Sequence, residues 1–135
     1  MKKMLTISYS AGAFNAAMLI LRLAAGGLMM KHGYDKLVHF ANYKTTFMSF
    51  LGLGSTTSLT LAIFAEFFCA LFIMIGLFTR WAAIPLIITM GVALFKSHNG
   101  DFMGDGEMAA LYLGAYLALL FVGPGRISID GMIGK

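Results

Sequence analysis

Residues 13–30 read AFNAAMLILRLAAGGLMM, and residues 59–78 read LTLAIFAEFFCALFIMIGLF. Each is a continuous apolar run interrupted by one charge, Arg22 in the first and Glu66 in the second. A bilayer core about 30 Å thick takes about 20 helical residues to cross, so both runs are long enough to span it. An ionised side chain at the centre of a spanning helix costs roughly 2.5–3.5 kcal/mol on insertion scales, so such residues face inward and take partners. Arg22 and Glu66 have opposite signs, and each is the other's expected partner.

Composition fixes the class. The chain has 135 residues, 59% of them hydrophobic and 12% charged, with a mean hydropathy of +0.83. A soluble domain carries about 25% charged residues, and this chain lacks the polar surface it would need in water. The expectation is a single integral membrane domain over residues 1–135. In lipid only helices and closed barrels satisfy every backbone amide and carbonyl. The runs do not alternate, so helices are expected at about 13–31, 59–78, 81–97 and 107–122. The fold class is all-α, a four-helix transmembrane bundle.

Between the first two helices lies the longest polar break, residues 33–58. Its mixed pattern of Phe40, Phe47, Phe50 and Leu51 suits a short helix on the membrane surface. Gly52-Leu53-Gly54 then turns the chain. Thr79-Arg80 is so tight a link that helices two and three form a hairpin, with Pro85 expected in the tolerant first turn of helix three. Thr6, Ser8, Tyr9 and Ser10 interrupt the apolar core that a cleaved leader requires, so helix one is expected to remain. Lys2, Lys3, Arg80, Arg126 and Lys135 fall on one side, and Lys31, Lys36, Lys44 and Lys96 on the other. That small excess places both termini in the cytoplasm.

The net charge of +4 comes from scattered single residues, and no Lys/Arg run exceeds Lys2-Lys3. A nucleic-acid partner is therefore not expected. Cys69 stands alone, without a C-x-x-C dithiol centre. His32, His39 and His98 sit at or beyond the membrane edges, which argues against haem. Lys96, His98, Asp101, Asp105 and Glu107 crowd one loop, but their spacing matches no metal motif. The methionines form no ordered repeat and read as core filler rather than copper ligands.

Arg22 shares a helical face with Met18, Gly26, Met29 and Gly33. Glu66 shares one with Ala62, Cys69, Ala70 and Ile73. Small residues beside a charge let helices approach and exclude lipid. At 1.5 Å per residue, Arg22 lies about 13 Å from one face and Glu66 about 10 Å from the other. In a 30 Å core their backbones would differ in height by about 7 Å, within reach of an extended arginine. Two readings stand. The pair could be a lock that sets helix register. It could equally line a polar pocket for a quinone, a headgroup or a proton, with His32, Lys36 and Glu107 around its outer mouth.

The ordered motifs carry a resemblance. Helix one reads Leu21-Arg22-Leu23, then Gly26, then His32-Gly33-Tyr34-Asp35-Lys36-Leu37. Helix two reads Ala65-Glu66, then Gly76-Leu77-Phe78-Thr79-Arg80-Trp81-Ala82-Ala83, and the chain closes Gly123-Pro124-Gly125-Arg126-Ile127-Ser128-Ile129-Asp130. In order and spacing this resembles the DoxX family of small bacterial membrane proteins over nearly the whole chain. The matching residues are Arg22, His32, Gly33, Lys36, Glu66, Arg80, Glu107, Gly125, Arg126 and Asp130. The resemblance implies a four-helix inner-membrane protein associated with electron transfer. Relatives include a subunit of a thiosulfate:quinone oxidoreductase and membrane partners in redox or thiol-stress complexes.

On that basis the expected function is a membrane subunit of a redox system, with no intrinsic cofactor, that binds a quinone and does no catalysis alone. Arg22 would hydrogen-bond a quinone oxygen or its reduced anion. Glu66 would orient Arg22 and exchange the proton that reduction needs. Gly26, Gly33, Gly76, Arg80, Arg126 and Asp130 would be structural, and no metal site is expected. Membrane lipid, a protein partner in a redox complex and a second copy of the chain are the expected partners. The alternative is a non-catalytic anchor or assembly factor for a soluble oxidoreductase, with Arg22–Glu66 a structural ion pair. A small-solute transporter is a weaker alternative, because four helices without an internal repeat make a poor transporter monomer.

Overall fold

The fold is that of a computed structural model, which describes residues 5–44, 52–97 and 106–133. Every regular element among the described residues is helical, as the unbroken apolar runs require. Helix α1 spans Ala11–Val38, and Ser10 caps it by accepting the Ala13 amide at 3.0 Å. It therefore runs seven residues past the expected end at 31. The run His32-Gly33-Tyr34-Asp35-Lys36 is polar enough to read as a break, but it holds no proline and no helix stop. Its 28 residues reach about 42 Å, longer than a 30 Å hydrocarbon core.

A single turn, α2 (Phe40–Tyr43), follows. Phe47, Phe50 and Leu51, on which the expected surface helix also rested, lie outside the described residues. Gly52 and Gly54 have positive φ of 72° and 92° and turn the chain as expected. The second rod is α3 (Ser55–Ile63), a π-helical stretch Phe64–Cys69, and α4 (Ala70–Ile75). Gly76 ends it in the left-handed conformation at φ 74°. The Leu77 amide reaches back to the Phe72 carbonyl and the Gly76 amide to Ile73, the paired bonds of a Schellman ending.

The third rod is α5 (Thr79–Val92), continued by a π-helical stretch Ala93–Ser97. Pro85 is seven residues into α5 rather than in its first turn, because the helix begins at Thr79. The fourth rod is α6 (Glu107–Val122), and a short α7 (Ile129–Ile133) follows a folded-back tail.

The four rods pack in cyclic order: α1 against α3–α4, α4 and the Phe64–Cys69 stretch against α5, α5 against α6, and α6 back onto α1. The core between them is made of small and medium side chains, among them Ala25, Ala65, Ala70, Ala83, Ile73 and Leu86. The large apolar residues point outward. Ile20, Leu23, Leu28, Leu61, Phe64, Phe68, Ile84, Ile88, Leu111 and Phe121 are all exposed. An apolar exterior spread over four rods is a surface for lipid, since soluble monomers rarely expose large contiguous apolar patches. Two helices, Ala11–Val38 and Ser55–Ile75, are long and apolar enough to cross a membrane, and the rods at Thr79–Phe95 and Glu107–Val122 are shorter.

Candidate functional site

Register between α1 and the second rod decides where the charges go. A Cβ on Gly33 would lie 2.6 Å from the Glu66 carbonyl carbon and the Phe67 amide nitrogen, and one on Gly26 would lie 2.8 Å from the Ala70 carbonyl oxygen. Both positions admit only hydrogen, so these two glycines set the antiparallel contact. Gly33 is level with Glu66, and Gly26 with Ala70 and Met74. Arg22 is level with Gly76, where an added Cβ would sit 2.6 Å from Arg22 Nη1.

Arg22 and Glu66 are consequently far apart, and the expected ion pair does not form. Eleven residues of α1 separate Gly33 from Arg22, a rise of about 16 Å at 1.5 Å per residue. The sequence estimate set the starts of the two helices one 30 Å core apart, whereas α1 alone is about 42 Å long, and a 7 Å gap became one that no arginine bridges. Arg22 is 1% exposed. Its Nη1 and Nη2 both donate to the Ile127 carbonyl at 2.8 Å, and Nη1 reaches the Pro124 carbonyl at 3.4 Å. Only its Nε lacks a partner. The guanidinium therefore holds the tail against the end of the bundle at which α1 begins.

The tail is built around that grip. The Asp130 amide donates to the Gly76 carbonyl at 2.8 Å. The Asp130 carboxylate accepts the amides of Phe78 and Thr79, both at 2.8 Å, and so caps the start of α5 from across the structure. A carboxylate there satisfies orphan amides and opposes the helix dipole. Phe78 is a non-glycine residue at φ 49°, a conformation costing about 1–2 kcal/mol, which the two bonds from Asp130 offset. Ser128 accepts the Gly131 amide and donates to the Gly125 carbonyl. The Arg126 amide donates to Asn15 Oδ1 at 2.9 Å, and Arg80 lies over Gly123. Gly26, Gly33 and Gly76 lie in close approaches, Arg80 packs on Gly123, Asp130 bonds across to the Gly76 turn and the start of α5, and among the described residues Arg126 is tied only through its backbone.

Glu66 has a different partner. Lys36 Nζ lies 2.7 Å from Glu66 Oε1. Glu66 is 4% exposed, the twelfth residue of the 21-residue rod Ser55–Ile75, and so close to its middle. The π-helical stretch around it is the kind of irregularity that often marks a functional position. Its second oxygen, Oε2, has no hydrogen-bond partner among the described residues. Beside the pair runs an aromatic row. His32 meets Tyr112 edge-on at 6.1 Å, and Tyr112 stacks on Tyr116 at 6.1 Å. The Glu66 charge acts on both tyrosines. Tyr116 is fully buried and donates to the Ala25 carbonyl at 3.0 Å.

The structure thus brings together Lys36, Glu66, His32 and Tyr112, and it separates Arg22 from them. Glu107 is exposed in the first turn of α6. His98, Asp101 and Asp105 lie outside the described residues. No three His, Cys, Asp or Glu side chains converge on a metal position among the described residues. The pairing of Lys36 was within reach of the sequence. The buried stripe Arg22, Gly26, Met29, Gly33 continues at the same spacing to Lys36 once the helix is allowed to run on. Tyr112 and Tyr116 also stand one turn apart in the sequence, but only the fold shows what they face.

Comparison with known proteins agrees with the membrane character of the chain. The DoxX family model matches residues 17–99. The chain is 32% identical over 125 residues to the inner membrane protein YphA of Escherichia coli (strain K12), covering 84% of this chain and 87% of that protein. No solved structure matches it significantly.

Proposed function

We propose a function from one premise: this chain belongs to the DoxX family of membrane proteins. It is a single inner-membrane domain whose four rods all cross the bilayer, with both termini in the cytoplasm. Its ligand site is the cluster of Lys36, Glu66, His32 and Tyr112, and the ligand is a quinone or a similar lipid-soluble carbonyl compound. Arg22, expected at that site, is assigned instead to holding the tail.

One observation carries this reading. A buried glutamate near the middle of a spanning rod pairs at 2.7 Å with a half-buried lysine and keeps one carboxylate oxygen without a partner among the described residues. Ionisable groups at bilayer depth are costly and usually functional. The residues fit a flat carbonyl-bearing ring: Lys36 supplies a charged donor, Glu66 Oε2 a free acceptor, and Tyr112 and His32 aromatic surface. Lys36 keeps N–H donors beyond the one given to Glu66, and one can point at a carbonyl oxygen. Glu66 can hold a proton at Oε2 while Oε1 stays with Lys36. A bound quinone supplies a two-electron, two-proton acceptor. The electrons come from a protein partner, which makes the chain a subunit rather than a complete enzyme.

Purified protein titrated with a short-chain benzoquinone tests this. A saturable rise in melting temperature is expected for the wild type and is lost in Glu66→Gln. No shift at any quinone concentration sinks the reading.

A second reading, a membrane anchor for a soluble oxidoreductase, is favoured by the Arg22 grip, which spends a buried cation wholly on fixing the tail. In that case Lys36–Glu66 is only a lock, and a Lys36→Met/Glu66→Leu double variant keeps full function.

A further inference from the structure

The end of the bundle that holds the tail carries a second feature, independent of the Lys36–Glu66 cluster. A groove of about 410 Å³ lies between the start of α1 and the tail, lined by Tyr9, Ala11, Phe14, Asn15, Val122, Gly125 and Arg126. Asn15, Arg126 and Tyr9 contribute polar groups to its lining. Ala11, Phe14 and Val122 contribute its apolar part, with the Tyr9 ring stacked on Phe14 at 6.0 Å. We propose that this groove binds one anionic phospholipid, its phosphate on Arg126 and the start of an acyl chain along Phe14 and Val122.

Charge complementarity selects that occupant. The Arg126 guanidinium is exposed and has neither an acidic nor a hydrogen-bond partner among the described residues, although its backbone amide is fixed by Asn15. Arg80, against Gly123 at the same end, is likewise exposed without an acidic partner among the described residues. Asp130, four residues on from Arg126, is committed to the amides of Phe78 and Thr79. Two uncompensated cations therefore face outward where the tail meets α1.

Depth agrees. Tyr9 and Trp81 are 74% and 75% exposed, and Ile127, Met132 and Ile133 are exposed around them. Aromatic rings of this kind collect at headgroup level. A phosphate is thus available at the height of Arg126, with acyl chains directly beneath it. The groove is amphipathic in the same sense as the lipid. A zwitterionic lipid would bring its own cation to a rim that is already positive, so an anionic headgroup is preferred.

Native mass spectrometry of the full chain in neutral detergent, titrated with phosphatidylglycerol or phosphatidylcholine, tests the proposal. Retention of one phosphatidylglycerol over phosphatidylcholine is expected. Arg126→Gln should weaken it about fivefold, the worth of one basic residue at an anionic surface. Val122→Trp fills the apolar part, leaves Arg126 in place and should abolish retention, with helicity checked by circular dichroism. Lys31→Gln, at the opposite end, should change nothing. Equal retention of the two lipids overturns the proposal, as does wild-type affinity in Arg126→Gln or Val122→Trp. Displacement by millimolar inorganic phosphate also overturns it, since that outcome describes a free-anion site.

Discussion

The two buried charges of this chain sit in opposite settings. Arg22 is level with the Gly76 turn, and its bonds all go to backbone carbonyls of the tail. Glu66 stands near the middle of its rod, pairs with a side chain and keeps one oxygen without a partner. A cation that satisfies carbonyls is a fastener, because nothing in that contact can exchange. A carboxylate with a half-buried lysine on one oxygen and no partner among the described residues on the other has the chemistry to take a ligand or a proton. The same apparent feature, one charge in one apolar run, has two different meanings, and the neighbours decide between them.

The contrast can be broken most severely at the fastener. Arg22→Leu should cost about 3–5 kcal/mol, since three charge-assisted hydrogen bonds are lost and the Ile127 and Pro124 carbonyls are left without their donor. Thermal unfolding in detergent would show it, and protease sensitivity of the tail should rise with it. A stability loss below about 1 kcal/mol would mean that the tail does not depend on Arg22.

At the other region, Lys36→Met alone should destabilise more than Lys36→Met with Glu66→Leu, because the single change strands a buried carboxylate. The comparison is a double-mutant cycle on melting temperature. Equal losses in the single and double variants would show that the pair carries no coupling energy.

Gly33→Ala tests the register that keeps the two charges apart. Its Cβ would meet the Glu66 backbone at 2.6 Å, so the rods must separate at a cost of about 1–3 kcal/mol. The Lys36–Glu66 pair should loosen with it, which a cross-link between cysteines placed on the two rods would report. Asp130→Asn is the smallest change. It keeps the side-chain shape, but its NH2 group cannot accept an amide, so one of the two bonds to Phe78 and Thr79 is lost together with the negative charge at the start of α5, and about 1–2 kcal/mol should go with them.

Much of this was open to reading from residues alone. The length of the unalternating apolar runs and the small residues at Gly26 and Gly33 are enough to expect closely packed helices, because lipid admits only helices and closed barrels and small side chains mark contacts. The motifs of helix one, the Gly76–Ala83 turn and the tail were enough to identify the family. Composition misplaced the end of α1, since polar residues at 32–36 look like a loop when the surface they face is not known. That error hid Lys36 from Glu66 and offered Arg22 instead.

What the sequence determined by itself was therefore the class, an all-helical membrane chain, and the presence of two buried charges needing partners. Both follow from local quantities: the apolar length of a segment and the cost of a charge within it. The partners were decided only by the tertiary structure. Helix register depends on how Gly33 meets the Glu66 backbone, and the tail's position depends on carbonyls that every residue carries and no sequence pattern marks. A shift of about 16 Å along one helix separates an Arg22–Glu66 lock from a tail fastener and a distinct Lys36–Glu66 ion pair.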